Sequence, residues 1–324
     1  MKTITKLSIA IIIFTILSCS NNDSSNTDET NVTVKDIYVC GYEKKTNEGK
    51  FIATVWKNGV ATSLTDGTKN ADANDIFVAG KNIYVVGSEL NSNGDPVAKI
   101  WINGAPQILT DEPNSYGEKV IVSNNDIYVL FDVLENDSYV RKIWKDGVIS
   151  ETQGAVTNFA VNNGDVYMVG YDGQYAMLWK NGVGSKLTNG EFSSVAIDIE
   201  IKDNNVYIVG NEQSNAKLWK NGVGSNLIDG NLNGTAMEIS IVGDDIYVSG
   251  ITFNPFTFRS IIWKNGEEIW SQENFETIGL KVVGEDFFMI SNSNNTAKLV
   301  KNGVAENLSS AVNSYAYGLF ITTN

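Results

Sequence analysis

Histidine is absent from this 324-residue chain, and cysteine occurs only twice, at Cys19 and Cys40. Without imidazole there is no His-based triad and no His general base, and most zinc and iron ligand sets are removed. Two cysteines cannot build a disulfide framework, so the folded part must be held by its own core. Basic residues are also scarce: 24 Lys and Arg face 38 Asp and Glu, for a net charge of −14. So acidic a chain lacks the basic footprint that a phosphate backbone requires, which argues against a nucleic-acid partner. Gly-rich phosphate loops, nucleophile elbows and zinc spacings are missing too. The apolar run over residues 9 to 17 is too short to span a bilayer.

That run follows Lys2 and Lys6 and ends in Ile16-Leu17-Ser18-Cys19. It resembles the lipobox of bacterial lipoproteins, with an aliphatic residue three places before the cysteine and a small one directly before it. Leu17 is a less usual choice for the position between them. The resemblance implies that residues 1–18 are a lipoprotein signal peptide and that Cys19 becomes the acylated N-terminus. An ordinary secretory peptide with a chance cysteine is the alternative. The expected location is the bacterial outer membrane, periplasmic or at the cell surface, with the lipid anchor as the only membrane attachment. Loss of the two lysines takes the net charge from −14 to −16. Residues 20 to 31 carry no apolar side chain, so residues 19–31 read as a lipidated cysteine and a flexible tether. A coil of that length reaches about 20 Å.

What the chain does have is a repeat. Trp-Lys-Asn-Gly begins at Trp56, Trp179, Trp219 and Trp263, with variants at Trp101, Trp144 and Val300. An aromatic preceded by an aliphatic residue or Phe287 marks each copy: Tyr38, Tyr84, Tyr128, Tyr167, Tyr207, Tyr247 and Phe288. Successive markers are 46, 44, 39, 40, 40 and 41 residues apart, a period typical of radial repeat folds. In the fifth copy, residues 195 to 201 alternate with period two, and a polar turn at 202 to 205 leads into a second strand at 206 to 210. A third strand ends at Lys220, and Asn221-Gly222 is a strong hairpin signal before a fourth. No copy contains a helical period, so helical solenoids are excluded.

The fold class is therefore all-β: over residues 32–324, a seven-bladed β-propeller of four-stranded antiparallel blades. The recurrent Trp is expected to wedge between blades. Residues 314 to 324 align without gaps on 194 to 204, an innermost strand with no partner after it, whereas the first copy starts at its second strand. The C-terminal strand is thus expected to complete blade 1 and remove an open edge. The pattern is similar to kelch-like propellers, although the glycines Gly41, Gly87, Gly170, Gly210 and Gly250 stand alone where kelch blades carry a pair. More closely, it resembles secreted propeller lipoproteins of Bacteroidetes. That resemblance implies a fold and no activity.

The visible insertions fall in the loops after the second strand and in the connections between blades, while the other turns keep nearly constant length. Both emerge on one face, where binding is expected. Three groups there are candidates. Aligning copies by their tyrosines puts Asp75, Lys119, Asn158, Asp198 and Glu238 in one slot around the axis, completed by Gly279 and Gly318. Such a ring could bind a ligand at the channel mouth, or line a water-filled channel. Glu43, Glu89, Asp172 and Glu212 follow the strand glycine, and Glu89 with Lys99 and Glu212 with Lys217 are expected as exposed ion pairs rather than as catalytic carboxylates. An aromatic set comprises Phe253, Phe256 and Phe258 of the sixth copy, a candidate contact loop, with Phe131 and Tyr139 of the third. Residues 91 to 95 space oxygen ligands like a calcium loop but lack the acidic twelfth position, and Cys40 reads as a small core residue.

These observations favour a non-catalytic, monomeric binding scaffold for protein or glycan. The alternative is a glycoside hydrolase or lyase using carboxylates at the channel mouth. A third option is a purely structural part of an envelope assembly. No cofactor or metal is expected; a divalent cation is conceivable but has no motif behind it.

Overall fold

The computed structural model describes residues 32–228, 233–253 and 257–324. The expected lipidation site Cys19, the signal peptide and the tether lie outside the described residues, as does Phe256.

Each repeat folds as a four-stranded antiparallel meander, and seven of these sheets form the propeller. In blade 5 the strands run, from axis to rim, Ser194–Lys202, Asn205–Glu212, Asn215–Lys220 and Val223–Asn226. Blade 1 alone is assembled from both ends of the sequence. Its innermost strand is Asn313–Thr323, paired antiparallel with Val34–Lys44, so the ring closes as the repeat alignment expects.

The tetrad that defines the repeat is a corner. At Asn221-Gly222 both residues have positive φ, 50° and 82°, as a tight hairpin between twisted strands requires. The Asn221 side chain then accepts the N–H of Val206 at 2.9 Å, tying the turn to the second strand. The same bond recurs in all seven blades, from Ile37, Ile83, Ile127, Val166, Ile246 and Phe287 to the corresponding Asn or Asp. The lysine of the tetrad folds over the marker aromatic. In blade 4, Lys180 lies 4.9 Å from the Tyr167 centroid and 2.8 Å from an Asp165 oxygen.

The tryptophan seals the seam to the preceding blade. Trp219 is 1% exposed and packs with Tyr167, Val169 and Ala176 of blade 4. Trp101, Trp144, Trp179, Trp263 and Trp56 occupy the same position at five other seams. At the seventh, Val300 is too small to fill the space, and Trp270 of blade 6 comes from the other side to meet Phe275 and Phe287.

Every innermost strand carries a one-residue irregularity just before or at the axial slot. In blade 5 it falls between Ala196 and Asp198, bending the strand as a bulge does. The solitary strand glycine is its counterpart: a Cβ on Gly210 would stand 2.0 Å from the Val195 carbonyl oxygen. Cys40 is a free, fully buried thiol packed between blades 1 and 2.

Candidate functional site

The axial residues do converge. Asp75, Lys119, Asn158, Asp198 and Glu238 line a central channel of about 480 Å³, joined by Glu118, Glu200, Lys281, Gly279 and Gly318. An innermost strand has one edge unpaired, and its N–H groups need acceptors. The carboxylates supply them, each to the next blade. Asp75 accepts the Val120 amide at 2.9 Å, and Asp198 accepts the Ile239 amide at 3.0 Å. Glu238 takes Gly279 and Leu280 at 2.7 and 2.8 Å, and Glu200 takes Ile241 at 3.1 Å. Asn158 donates to Asp198 at 2.7 Å, and Lys119 reaches the same carboxylate at 3.8 Å across the channel. The ring thus staples neighbouring blades along the axis.

These groups pay for that position in desolvation. Burial pushes the carboxyl groups of Asp75 and Glu238 up from the ordinary range. Glu200 is pushed up to about 7, mainly by burial, with Lys281 opposing the shift. Glu118 is also pushed up to about 7, first by burial and then by the charge of Asp132. Asp132 holds Arg141 in a two-pronged pair at 2.7 and 2.8 Å, and Arg141 also donates to the Val156 carbonyl of blade 4. Among the described residues, no three acidic or cysteine side chains converge as a metal site would require.

The other candidates separate. Glu89 pairs with Lys99, and Glu212 with Lys217 at 2.7 Å, across their hairpins as expected, but with side chains only 17–20% exposed these pairs are half-buried and not the exposed ones the sequence suggested. Glu43 instead turns inward and accepts from Trp56 and Ser309. Asn91 uses its side-chain oxygen on the amides of Asn93 and Asp95, an ordinary turn. Phe131 is fully buried in the seam between blades 2 and 3 and is not a surface ring, whereas Tyr139 is 55% exposed. Phe253 and Phe258 face each other across the base of the blade 6 hairpin, with Phe253 41% exposed.

One cluster escapes a reading by single slots. On the side where the blades 1 to 3 hairpins project, a cavity of about 340 Å³ is walled by Tyr42, Phe51, Leu90, Pro96, Tyr116 and Tyr317, with Asp72 and Ser88 in its lining. Tyr42 stacks on Tyr315 at 6.0 Å and 17°, touches Phe51 at 4.6 Å, and lies 6.1 Å from Tyr317. Tyr116 meets Tyr139 edge-on at 5.8 Å. Asp72 receives both the amide and the hydroxyl of Ser88 at 2.9 Å, on the same oxygen. Burial raises its carboxyl pKa despite those two bonds. Tyr116 is pushed up to about 12, by burial first and then by Tyr139. Burial raises Tyr42 and Tyr317 as well, with the neighbouring tyrosines and the Asp72 charge adding to it.

No family model matches the chain, and no curated protein matches it either. Solved structures do. A puromycin-hydrolysing peptidase of Mycobacterium tuberculosis is 12% identical with a TM-score of 0.56, over 83% of this chain and 53% of that one. An acylaminoacyl peptidase of Pyrococcus horikoshii is 14% identical with a TM-score of 0.54, over 86% and 51%. The β-propeller domain of the Trilobed protease from Pyrococcus furiosus is 12% identical with a TM-score of 0.56, over 86% and 93%. The likeness is one of fold. The chain spans about half the length of the two whole peptidases, and at such identities no activity transfers.

Proposed function

We propose that this propeller is a non-catalytic binding module that takes its ligand, a protein or a glycan, on the face bearing the long hairpins of blades 1 to 3. One observation carries the reading: the axial carboxylates are already bonded to backbone amides of the adjoining blade, while the loop face concentrates tyrosines in a cavity of about 340 Å³. Aromatic rings with a few placed polar groups are the usual makings of a binding pocket. Display from the bacterial envelope by a lipid on Cys19, as a monomer without a cofactor, belongs to the same proposal.

The test is a quantitative peptide and glycan array with the wild-type protein and a Tyr116→Ala/Tyr139→Ala variant. Ligands retained by the wild type should lose about tenfold or more in affinity, as aromatic anchors typically do, and should be recovered chemically unchanged. Equal binding by the variant would move the site elsewhere. A second reading, a carbohydrate-active enzyme, draws support from Glu118 and Glu200, whose pKa values near 7 suit a general acid. Turnover of a glycan that vanishes in Glu118→Gln or Glu200→Gln would establish it.

A further inference from the structure

We infer that the cavity between blades 1, 2 and 3 is a receptor for an organic ammonium group, held between the Asp72 carboxylate and the tyrosine faces. The inference rests on the loop-face reading above and names the chemistry of its ligand.

The molecule itself supplies the precedent. At five of its corners a carboxylate and an aromatic ring together hold a lysine ammonium: Asp36 and Tyr38 with Lys57, Asp126 and Tyr128 with Lys145, Asp165 and Tyr167 with Lys180, Asp245 and Tyr247 with Lys264, Asp286 and Phe288 with Lys301. The nitrogens stand 4.9 to 5.4 Å from the ring centroids. The loop-face cavity gathers the same two kinds of group, one carboxylate and several ring faces. It lacks the third. Among the described residues, no lysine or arginine forms an ion pair with Asp72. Lys44 lies 5.6 Å over the outer wall ring Phe51 and pairs with no carboxylate there.

A half-buried carboxylate without a counter-ion is costly, and the cost falls when a cation enters. Ring faces carry the negative end of the aromatic quadrupole, so they favour the same charge. A neutral sugar would gain from stacking but would leave the carboxylate uncompensated. The strongly acidic chain also draws cations toward its surface. The ammonium could come from a lysine of a protein partner or from a free amine such as an amino sugar. The site chemistry is shared.

The experiment is a calorimetric and NMR titration of the wild-type protein at fixed ionic strength with n-butylammonium and, separately, its uncharged isostere 1-butanol. The expected result is saturable one-to-one binding of the amine, a loss of about tenfold or more in Asp72→Asn and Tyr317→Leu, and no saturable binding of the alcohol. Asp72→Glu, which keeps the charge, should retain binding, and melting curves of each variant verify folding. Equal affinity for amine and alcohol, amine binding unchanged in Asp72→Asn, or no amine binding by the wild type would each overturn the inference. Two further arms separate the sources: a lysine peptide against its Nε-acetylated form, and glucosamine against N-acetylglucosamine. Should the amine fail while the array ligands still depend on Tyr116 and Tyr139, the ammonium chemistry is wrong and the loop-face reading stands.

Discussion

The charged side chains of the channel tune stability in a definite direction. Glu118 and Glu200 have folded-state pKa values near 7, above the 4.5 of an unperturbed glutamate. A carboxyl group whose pKa rises on folding stabilises fully below its unfolded value and loses that contribution as pH climbs through the folded value. Stability from these two groups should therefore decline between roughly pH 4.5 and 7. The corner aspartates Asp36, Asp126, Asp165, Asp245 and Asp286 act oppositely. Lysine bonds depress them, so their contribution is present at neutral pH and lost as pH falls through their lowered values. Urea midpoints measured from pH 5 to 8 should fall for the wild type and fall less steeply in Glu200→Gln, where Glu118 alone of the two remains. An equally steep fall in that variant would remove Glu200 as a source. Residue chemistry was only partly legible in the sequence. The alignment brought Asp75, Asp198 and Glu238 into one slot, yet their amide partners belong to neighbouring blades some forty positions on. Nothing local announces such bonds.

At the scale of one element, the corner is the unit that repeats, and it was readable because its signals are local. Asn-Gly fixes the turn, and the lysine before it finds an aspartate and an aromatic within the same blade. Replacing Asn221 by Ala puts a Cβ-bearing residue without a side-chain acceptor at a φ of 50° and leaves the Val206 amide without its bond. The expected cost is about 1–3 kcal/mol, read as a shift in the denaturation midpoint. Asn221→Asp, which keeps an acceptor as Asp146 does in blade 3, should recover most of it. The loop-face cavity was illegible for the converse reason. Asp72, Tyr116 and Tyr315 occupy one register position, where blades 4, 5 and 6 carry Ala155, Val195 and Thr235. The signal lies in how the copies differ and not in what they share. Comparing that position blade by blade would have found it.

For the whole molecule, closure is the decisive contact. Asn313–Thr323 fills the inner place of blade 1 and faces blade 2 on its other side, where Phe320 meets Phe77 at 4.9 Å. Deleting this strand would bare the edge of Val34–Lys44 and the Tyr42 wall of the loop-face cavity together. The deletion variant should elute as aggregates in size-exclusion chromatography, since exposed strand edges recruit other chains. A monomeric variant with an unshifted melting curve would show that the ring holds without it. The period and the blade count were foreseeable from the seven aromatic markers and their tetrads, and this closing strand from the match of residues 314 to 324 to 194 to 204.

The reversed seam between blades 6 and 7 sets a rule for modular exchange. Blades 2 to 5 each offer an indole backward and receive one from the blade that follows, so they are interchangeable parts with matching male and female sides. Blade 6 lends Trp270 forward to a partner whose own wedge is Val300. Those two are keyed to each other, and any shuffling of this ring would have to carry them as a pair.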